Sequence, residues 1–280
     1  MGVAQNPQSL QPALEKKGWQ KDWPALAAVL TVLVVAAAFW LRFTPPGFWG
    51  KLQAIGYAVC HQIPQRSFHV GGHSSPLCAR CTGMYLGAFL ALVFQLRQGR
   101  KAKFPPLAVM ISLGLFLVAF GVDGINSFLH FFPDGPSLYT PTNLLRLLTG
   151  LGVGVGIGLI LYPIFNQTVW RDWRAEAVVP RYKDFLLLLA LAGLLALGLL
   201  SGQPVILYPA FILSGISVPL IFSIIYTMVA VLLMRRDNKI TDWRELLLPA
   251  SVGLLLALLQ IGLTDWVRLG LTGTWGAIIP

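Results

Sequence analysis

All three cysteines and three of the four histidines of this 280-residue chain lie within 22 consecutive positions. They are Cys60, His61, His69, His73, Cys78 and Cys81. Thiolate and imidazole groups are the ligands that zinc prefers in proteins, and closely spaced thiols also carry out disulfide exchange. The stretch therefore predicts a metal site or a thiol site, with zinc as the expected metal.

Cys78 and Cys81 are three residues apart, so that on a helix their side chains share one face. The N-terminus of a helix also favours a thiolate over a thiol. Cys60 adds a third thiol from the other side of a 17-residue loop. A tetrahedral zinc site needs four ligands, and the three thiols supply all but one of them.

We expect a histidine to supply the fourth ligand. His61 directly follows Cys60, which makes ligation by both neighbours geometrically awkward. His69 and His73 have more freedom to reach the metal and are the alternative ligands. A site closed by four protein ligands is structural, whereas a catalytic site keeps one position for water. The sequence leaves both forms open.

Two interpretations without a metal also remain open. Cys78 and Cys81 can form a redox disulfide with Cys60 as the resolving thiol, or the three thiols can be inert and buried. A covalently attached c-type haem is excluded, because it needs a histidine directly after the cysteine pair, and Thr82 stands there.

The composition is that of an integral membrane protein. Hydrophobic residues make up 56% of the chain and charged residues 11%, against about 25% charged residues in soluble domains. The net charge of +10 would suggest nucleic acid in a soluble protein. The basic residues are not interleaved with stacking aromatic residues, so we expect membrane lipids as partners and no nucleic acid.

Seven apolar stretches have about the length that a helix needs to cross a ~30 Å hydrocarbon core. They are residues 24–43, 81–96, 105–122, 144–164, 185–200, 211–234 and 246–263. The first is longer than the apolar core of a signal peptide, about 7–15 residues, so we expect it to be retained. The sequence predicts an all-α, polytopic transmembrane helix bundle of about seven spans.

The connections between these spans alternate along the chain: one is rich in lysine and arginine, and the next is poor in both. The positive-inside bias then predicts a cytoplasmic N-terminus, an external C-terminus and a cysteine loop on the outer face of the cell's inner (plasma) membrane. The predicted parts are a cytoplasmic tail (1–23), a membrane domain (24–165), a basic inner loop (166–184) and C-terminal transmembrane helices (185–280).

Two blocks of residues resemble a known family. The first is Cys60-His61-Gln62-x-Pro64-x-Arg66-Ser67 followed by Pro76-Leu77-Cys78-Ala79-Arg80-Cys81-Thr82-Gly83-x-Tyr85-x-Gly87. The second is Asp123-Gly124 followed by Thr142-Asn143-Leu144-Leu145-Arg146 and Thr149-Gly150. Over about residues 50–160 they resemble the prokaryotic membrane family catalogued as domain of unknown function 2085. The resemblance names no activity. It implies a shared role for Cys60, His61, Cys78 and Cys81, supported by Arg66 and Arg80.

Further polar residues lie at the predicted ends of the third and fourth spans, on the same face as the cysteine loop. They are Asp123, His130, Asp134, Asn143 and Arg146. An arginine near the membrane needs a partner, and Asp123 is the expected partner of Arg146. The pair either ties the two helices together or orients a substrate over the metal.

Two other groups of charged residues have a simpler interpretation beside a functional one. Arg66 and Arg80 flank the cysteines, where they either hold an anionic group or anchor the loop to lipid headgroups. Asp265 and Arg268 lie at the end of the last span, and we interpret them as a solvated helix terminus.

The favoured function is a membrane protein with an outer-face Cys/His zinc site, structural or hydrolytic. In the hydrolytic form, metal-activated water attacks a lipid-linked or extracytoplasmic substrate, and the candidate catalytic groups are Asp123, Arg146, Arg66 and Arg80. One alternative is a membrane thiol–disulfide oxidoreductase that uses Cys78 and Cys81. Another is a non-enzymatic transporter or complex subunit, for which Pro219 is the one candidate for a broken span.

Overall fold

The computed structural model describes residues 22–130, 132 and 135–276. The predicted tail, except for its last two residues, and Asp134 lie outside these residues. The described helices are α1 (Trp23–Phe43), α2 (Gly47–Tyr57), α3 (Ala79–Leu96), α4 (Leu107–Leu129), α5 (Asn143–Val169), α6 (Tyr182–Leu200), α7 (Pro204–Leu233) and α8 (Trp243–Thr272). The described strands are β1 (Ser67–Val70), β2 (His73–Cys78), β3 (Lys101–Lys103) and β4 (Arg174–Ala177).

Seven of these helices are long and apolar enough to cross a membrane, which confirms the predicted helical bundle of about seven spans. The other helix, α2, has 11 residues and is too short to cross. All seven spans are longer than predicted, and α7 and α8 are two examples. α7 begins at Pro204 and carries Pro209 inside it, as spans tolerate proline where neighbouring groups satisfy the freed carbonyl. α8 continues past Asp265, because that carboxyl group is bonded within the protein.

The centre of the bundle is the contact between α3 and α5, which glycines on both helices make close. A Cβ at Gly158 of α5 would lie 2.6 Å from the carbonyl oxygen of Ala88, and one at Gly87 of α3 would lie 2.6 Å from that of Leu151. Small residues spaced four apart allow such backbone contact in membranes. The glycines of α3 and α5 therefore form the packing surface between the two helices.

One end of the bundle carries α2 and the antiparallel hairpin of β1 and β2. The start of α3, the end of α4 and the end of α8 contact this region. At the opposite end β3 pairs with β4 in parallel, and Arg100 and Lys101 form ion pairs with Asp172 and Glu176. The cysteine loop and the basic connections thus lie at opposite ends of the bundle. Which end faces the cytoplasm stays a prediction from the charge pattern.

The hairpin, α2 and the small parallel sheet were not predicted. Each is too short to show a clear hydrophobic period, and each is stabilised by contacts with the spans. Gly56 of α2 illustrates this, because a Cβ there would overlap the carbonyl oxygen of Pro76 in β2.

We predict that Gly154→Ala separates α3 from α5. The added methyl group would overlap the carbonyl oxygen of Met84, and such overpacking costs about 1–3 kcal/mol. The melting temperature of the detergent-solubilised protein should fall. The control is Gly193→Ala on α6, where a Cβ meets no atom within 4 Å and alanine raises helix propensity. Equal melting temperatures for the two variants would contradict this account of the packing.

Candidate functional site

The three cysteines converge at one point. The Sγ atoms of Cys60, Cys78 and Cys81 all lie within 4.8 Å of one another, and none of the three forms a disulfide. Cys60 is buried, and the other two are half-buried. The geometry therefore meets the expectation that the loop brings the thiols together. Cys60 joins the other two although 17 residues separate it from Cys78 in the sequence.

Cys60 is held in place by the end of α2. Its N–H donates to the carbonyl of Gly56 at 2.9 Å, which keeps the chain turned back onto β2. The side-chain amide of Gln62 then donates to the carbonyl oxygens of Gln53 and Pro76, at 2.8 Å each. This amide joins α2 to β2, and so fixes the Cys60 side of the cluster against the Cys78 side.

Cys78 and Cys81 are held by the first turn of α3. Cys78 is the N-cap residue of that helix, and its position opposite Ser67 in the hairpin fixes where the helix starts. The N–H of Cys78 donates to Sγ of Cys60 at 3.1 Å. Cys81 lies one turn further along α3, on the same helix face as Cys78, as predicted. Its sulfur therefore lies in the cluster.

Hydrogen bonding among the thiols separates their acidities. The bond with Cys78 raises the pKa of the Cys60 thiol to about 12, and burial adds to this. The bonds that Cys78 accepts, first from Cys60 and then from Cys81, lower the pKa of Cys78 well below the ordinary thiol value. Cys78 is thus the thiol that ionises first, and a cation bound to the cluster would favour ionisation of its neighbour as well.

The histidines lie outside the cluster. Among the described residues, the group of potential ligand atoms around the sulfurs contains no histidine nitrogen. His61 is exposed and lines a cavity next to Cys78. His69 is exposed on β1, and His73 is exposed with its ring 5.0 Å from that of Trp49. Of the three candidates for a fourth ligand, His61 alone faces the same cavity as a cluster thiol.

This cavity has a volume of about 210 Å³, and three of its eight lining residues are arginines. Arg66, Arg80 and Arg146 contribute to its wall together with His61 and Cys78. Burial, followed by the positive charges of Arg146 and Arg80, lowers the pKa of Arg66. The thiol cluster therefore faces a small, strongly positive chamber.

Asp123 pairs with Arg80, and the predicted pair of Asp123 with Arg146 is wrong. The Asp123 carboxylate is 1% exposed and accepts bonds from Nε and Nη2 of Arg80. Its second oxygen accepts from the hydroxyl of Tyr139 at 3.0 Å, and burial and this hydrogen bond raise the pKa of Tyr139. Arg80 is the nearer partner because it starts α3 beside the end of α4, whereas Arg146 lies one turn into α5.

Arg146 and Arg66 each donate to a neutral hydrogen-bond acceptor. Nη1 of Arg146 donates to the side-chain oxygen of Asn143 at 3.0 Å, while its Nε is buried without a partner among the described residues. Nη2 of Arg66 donates to the carbonyl of Ser127 at 3.0 Å. Among the described residues, the Asp123 carboxylate pairs with Arg80 and no carboxylate pairs with Arg146.

The interpretation of Asp265 and Arg268 as a solvated helix terminus is wrong. Asp265 is 2% exposed and accepts a hydrogen bond from the indole N–H of Trp40 in α1 at 2.9 Å. The guanidinium of Arg268 donates to the carbonyls of Tyr57 and Cys60. Arg268 is thus a positioning residue for the cysteine loop. The predicted span ended at residue 263, whereas α8 extends to Thr272 and so includes both charges, which need partners inside the protein.

The seven spans define a multi-pass membrane protein with a thiol cluster and a cationic chamber at one end of its bundle. Residues 60–160, which contain the whole cluster, match the family described as predicted membrane protein, DUF2085. An uncharacterised protein of Methanocaldococcus jannaschii is 29% identical over 133 residues, 45% of this chain and 79% of that protein. One of Methanothermobacter thermautotrophicus is 33% identical over 93 residues, 33% of this chain and 75% of that protein. The chain belongs to this membrane family, and no solved structure matches it.

We predict that Asp123→Ala destabilises the protein by about 3 kcal/mol, because it leaves the half-buried guanidinium of Arg80 without its counter-charge. The control is Asp172→Ala, which breaks an ion pair whose carboxylate is 62% exposed and should cost at most about 1 kcal/mol. Melting temperatures in detergent compare the two. The double variant Arg80→Leu/Asp123→Leu should melt above Asp123→Ala; a lower value would show that the pair itself is not the source of the loss.

Proposed function

We propose that this protein binds one zinc ion through the thiolates of Cys60, Cys78 and Cys81. From the charge pattern, we place the site on the outer face of the plasma membrane. The observation that carries the proposal is the convergence of all three sulfurs to within 4.8 Å. In a tetrahedral site with Zn–S bonds of 2.3 Å the sulfurs would be about 3.8 Å apart, so a small contraction of the cluster makes three of the four ligand positions.

The fourth position decides between a structural and a hydrolytic site. The cluster borders the cavity through Cys78, and so the remaining ligand comes from that side, as His61 or as water. A closed site with His61 would clamp α2 and the hairpin to the start of α3. An open site would supply a metal-bound water of lowered pKa for a lipid-linked or extracytoplasmic substrate.

The side chains around the cavity have different roles in the hydrolytic form. Arg66 and Arg146 can hold an anionic substrate group, because both line the cavity and both are positively charged. Asp123 is engaged by Arg80 and Tyr139, which makes it a positioning residue for Arg80 rather than a proton acceptor.

One observation favours a second candidate, a membrane thiol–disulfide oxidoreductase. Cys78 caps α3, and hydrogen bonds from the other two thiols lower its pKa, which is the setting of a nucleophilic thiolate. Attack by Cys78 on a partner's disulfide would form a mixed disulfide and release the partner's thiolate. Attack by Cys60, the resolving thiol expected from the sequence, or by the neighbouring Cys81 would then release the reduced partner and leave a disulfide with Cys78. The transporter alternative has less support, since α7 continues through Pro219 without a break.

We predict about one zinc per chain in protein purified without chelator or reductant, measured by elemental analysis. Replacing any one of the three cysteines with serine removes a zinc ligand. Zinc binding should weaken by more than the ~10–100-fold that is typical when a residue hydrogen-bonded to a ligand is replaced. The control is His73→Ala, which removes an exposed histidine packed on Trp49 and should retain the metal. His61→Ala distinguishes a closed site, which loses affinity, from an open one.

Thiol titration of the same samples tests the two candidates against each other. With zinc bound, the three thiols should react with an alkylating reagent only after a chelator is added. Protein that contains no metal and shows a reducible bond between Cys78 and Cys81 would refute the zinc site and support the oxidoreductase.

A further inference from the structure

We propose that the cavity beside the thiol cluster binds the phosphate group of an anionic ligand, and that the ligand is a membrane lipid that enters past α4. This site is made by Arg66, Arg80 and Arg146. It goes beyond the zinc site and does not require the metal, because none of its three guanidinium groups is a metal ligand.

The first support is the number of positive charges in one small space. Three guanidinium groups line a cavity of about 210 Å³, and arginine side chains stay protonated in proteins. The described negative groups nearby are the Asp123 carboxylate and the thiol cluster. The cluster carries one net negative charge both as three thiolates with a divalent zinc ion and as a single thiolate of Cys78. Among the described residues, Arg80 pairs with Asp123, whereas Arg146 forms no ion pair with a carboxylate.

The second support is the state of Arg146. This side chain is 6% exposed, lines the cavity and carries a buried Nε with no hydrogen-bond partner among the described residues. Its one described acceptor, the amide oxygen of Asn143, is neutral. A buried charge without a counter-charge is unfavourable, and an anion in the cavity would balance the charge of Arg146.

The geometry of the donors favours phosphate over a single-atom anion. Guanidinium groups present their N–H donors in a planar fork that matches two oxygens of a phosphate or carboxylate. The cavity has several times the volume of one water molecule, ~30 Å³, so a phosphate group fits with part of its ester. Ile63 and Phe128 supply an apolar part of the wall, which suits the glycerol and upper acyl region of a lipid.

The position of the cavity favours a lipid over a soluble phosphate. One wall is the end of α4, where Phe128 and Ile125 are 60% and 64% exposed on the outer surface of the bundle. That surface faces hydrocarbon in a membrane, while the arginines lie where the spans end, at the level of the headgroups. A lipid beside α4 can therefore place its phosphate in the cavity without leaving the bilayer.

The test is a binding titration of the purified full chain in a maltoside detergent, which has no phosphate. The probes are phosphatidylglycerol, oleate and inorganic phosphate. We expect phosphatidylglycerol to bind at least about tenfold more tightly than oleate, which carries its charge on a carboxylate. Arg66→Gln and Arg146→Gln should each weaken phosphatidylglycerol about tenfold, the usual effect of losing one charge-assisted hydrogen bond. Arg97→Gln, an exposed arginine at the other end of the bundle, should leave it unchanged.

The other outcomes separate the possibilities. Inorganic phosphate that binds as tightly as phosphatidylglycerol would support the phosphate site and overturn the lipid. Wild-type protein without preference for phosphatidylglycerol over oleate would overturn the proposal, and this result needs no variant. Arg146→Lys is the control for misfolding, because it keeps the positive charge and should retain part of the affinity for phosphatidylglycerol. Equal weakening by Arg97→Gln and Arg146→Gln would also overturn the site.

Zinc measured in the same samples separates this proposal from the zinc site. Cys78→Ser that loses zinc but keeps its affinity for phosphatidylglycerol would show a phosphate site independent of the metal. If instead the guanidinium groups serve only to balance the thiolates, Arg146→Gln would lose zinc and wild-type protein would show no lipid preference. That pair of results would overturn the phosphate site and leave the zinc site standing.

Discussion

The close contact of α3 with α5 is the interaction on which the site depends. Gly150 lies against the backbone of α3 at Arg80, where a Cβ would overlap the carbonyl oxygen. This contact places the first turn of α3, with its two cysteines, beside the turn of α5 that carries Arg146. Inside a membrane no hydrophobic effect drives helices together. Their association is instead stabilised by van der Waals packing, which small residues make close by letting the two backbones approach. The position of the thiols relative to the arginines follows from it.

Polar groups at the ends of the spans determine the rest of the arrangement. Each must find a partner inside the protein, because hydrocarbon offers none. Arg80 of α3 forms an ion pair with Asp123 of α4, and Trp40 of α1 donates a hydrogen bond to Asp265 of α8. Arg268 donates to the backbone carbonyls of Tyr57 and Cys60. These bonds tie helices that are far apart in sequence, and they hold the loop against the bundle on several sides. The cluster is thus held by helices from both halves of the chain.

The thiol cluster and the cationic cavity are parts of one local electrostatic balance. Thiolates that bind a metal are negative, and the arginines around Cys78 favour that form. The same arginines line the cavity and give the chamber its positive character. A metal site of this kind would therefore lie next to a place where an anion is favoured. This is the physical link between the two proposals.

Much of the fold could be predicted from the sequence, since a run of apolar residues of sufficient length specifies a span through the membrane. The alternation of basic connections supported the same number of spans. The gathering of Cys60, Cys78 and Cys81 in sequence correctly pointed to a shared centre. Asp123 and Arg146 were recognised as important but were paired incorrectly, because pairing depends on which helix ends meet.

The sequence by itself thus determined the number of membrane helices and the presence of one cysteine centre, since both depend on composition and local spacing. Only the tertiary structure decided the partner of Asp123, the inward role of Asp265 and Arg268, and the separation of His69 and His73 from the sulfurs. It also decided that three arginines share one chamber. These features depend on distances of a few ångströms between helices that are tens to hundreds of residues apart, and no local pattern encodes such distances.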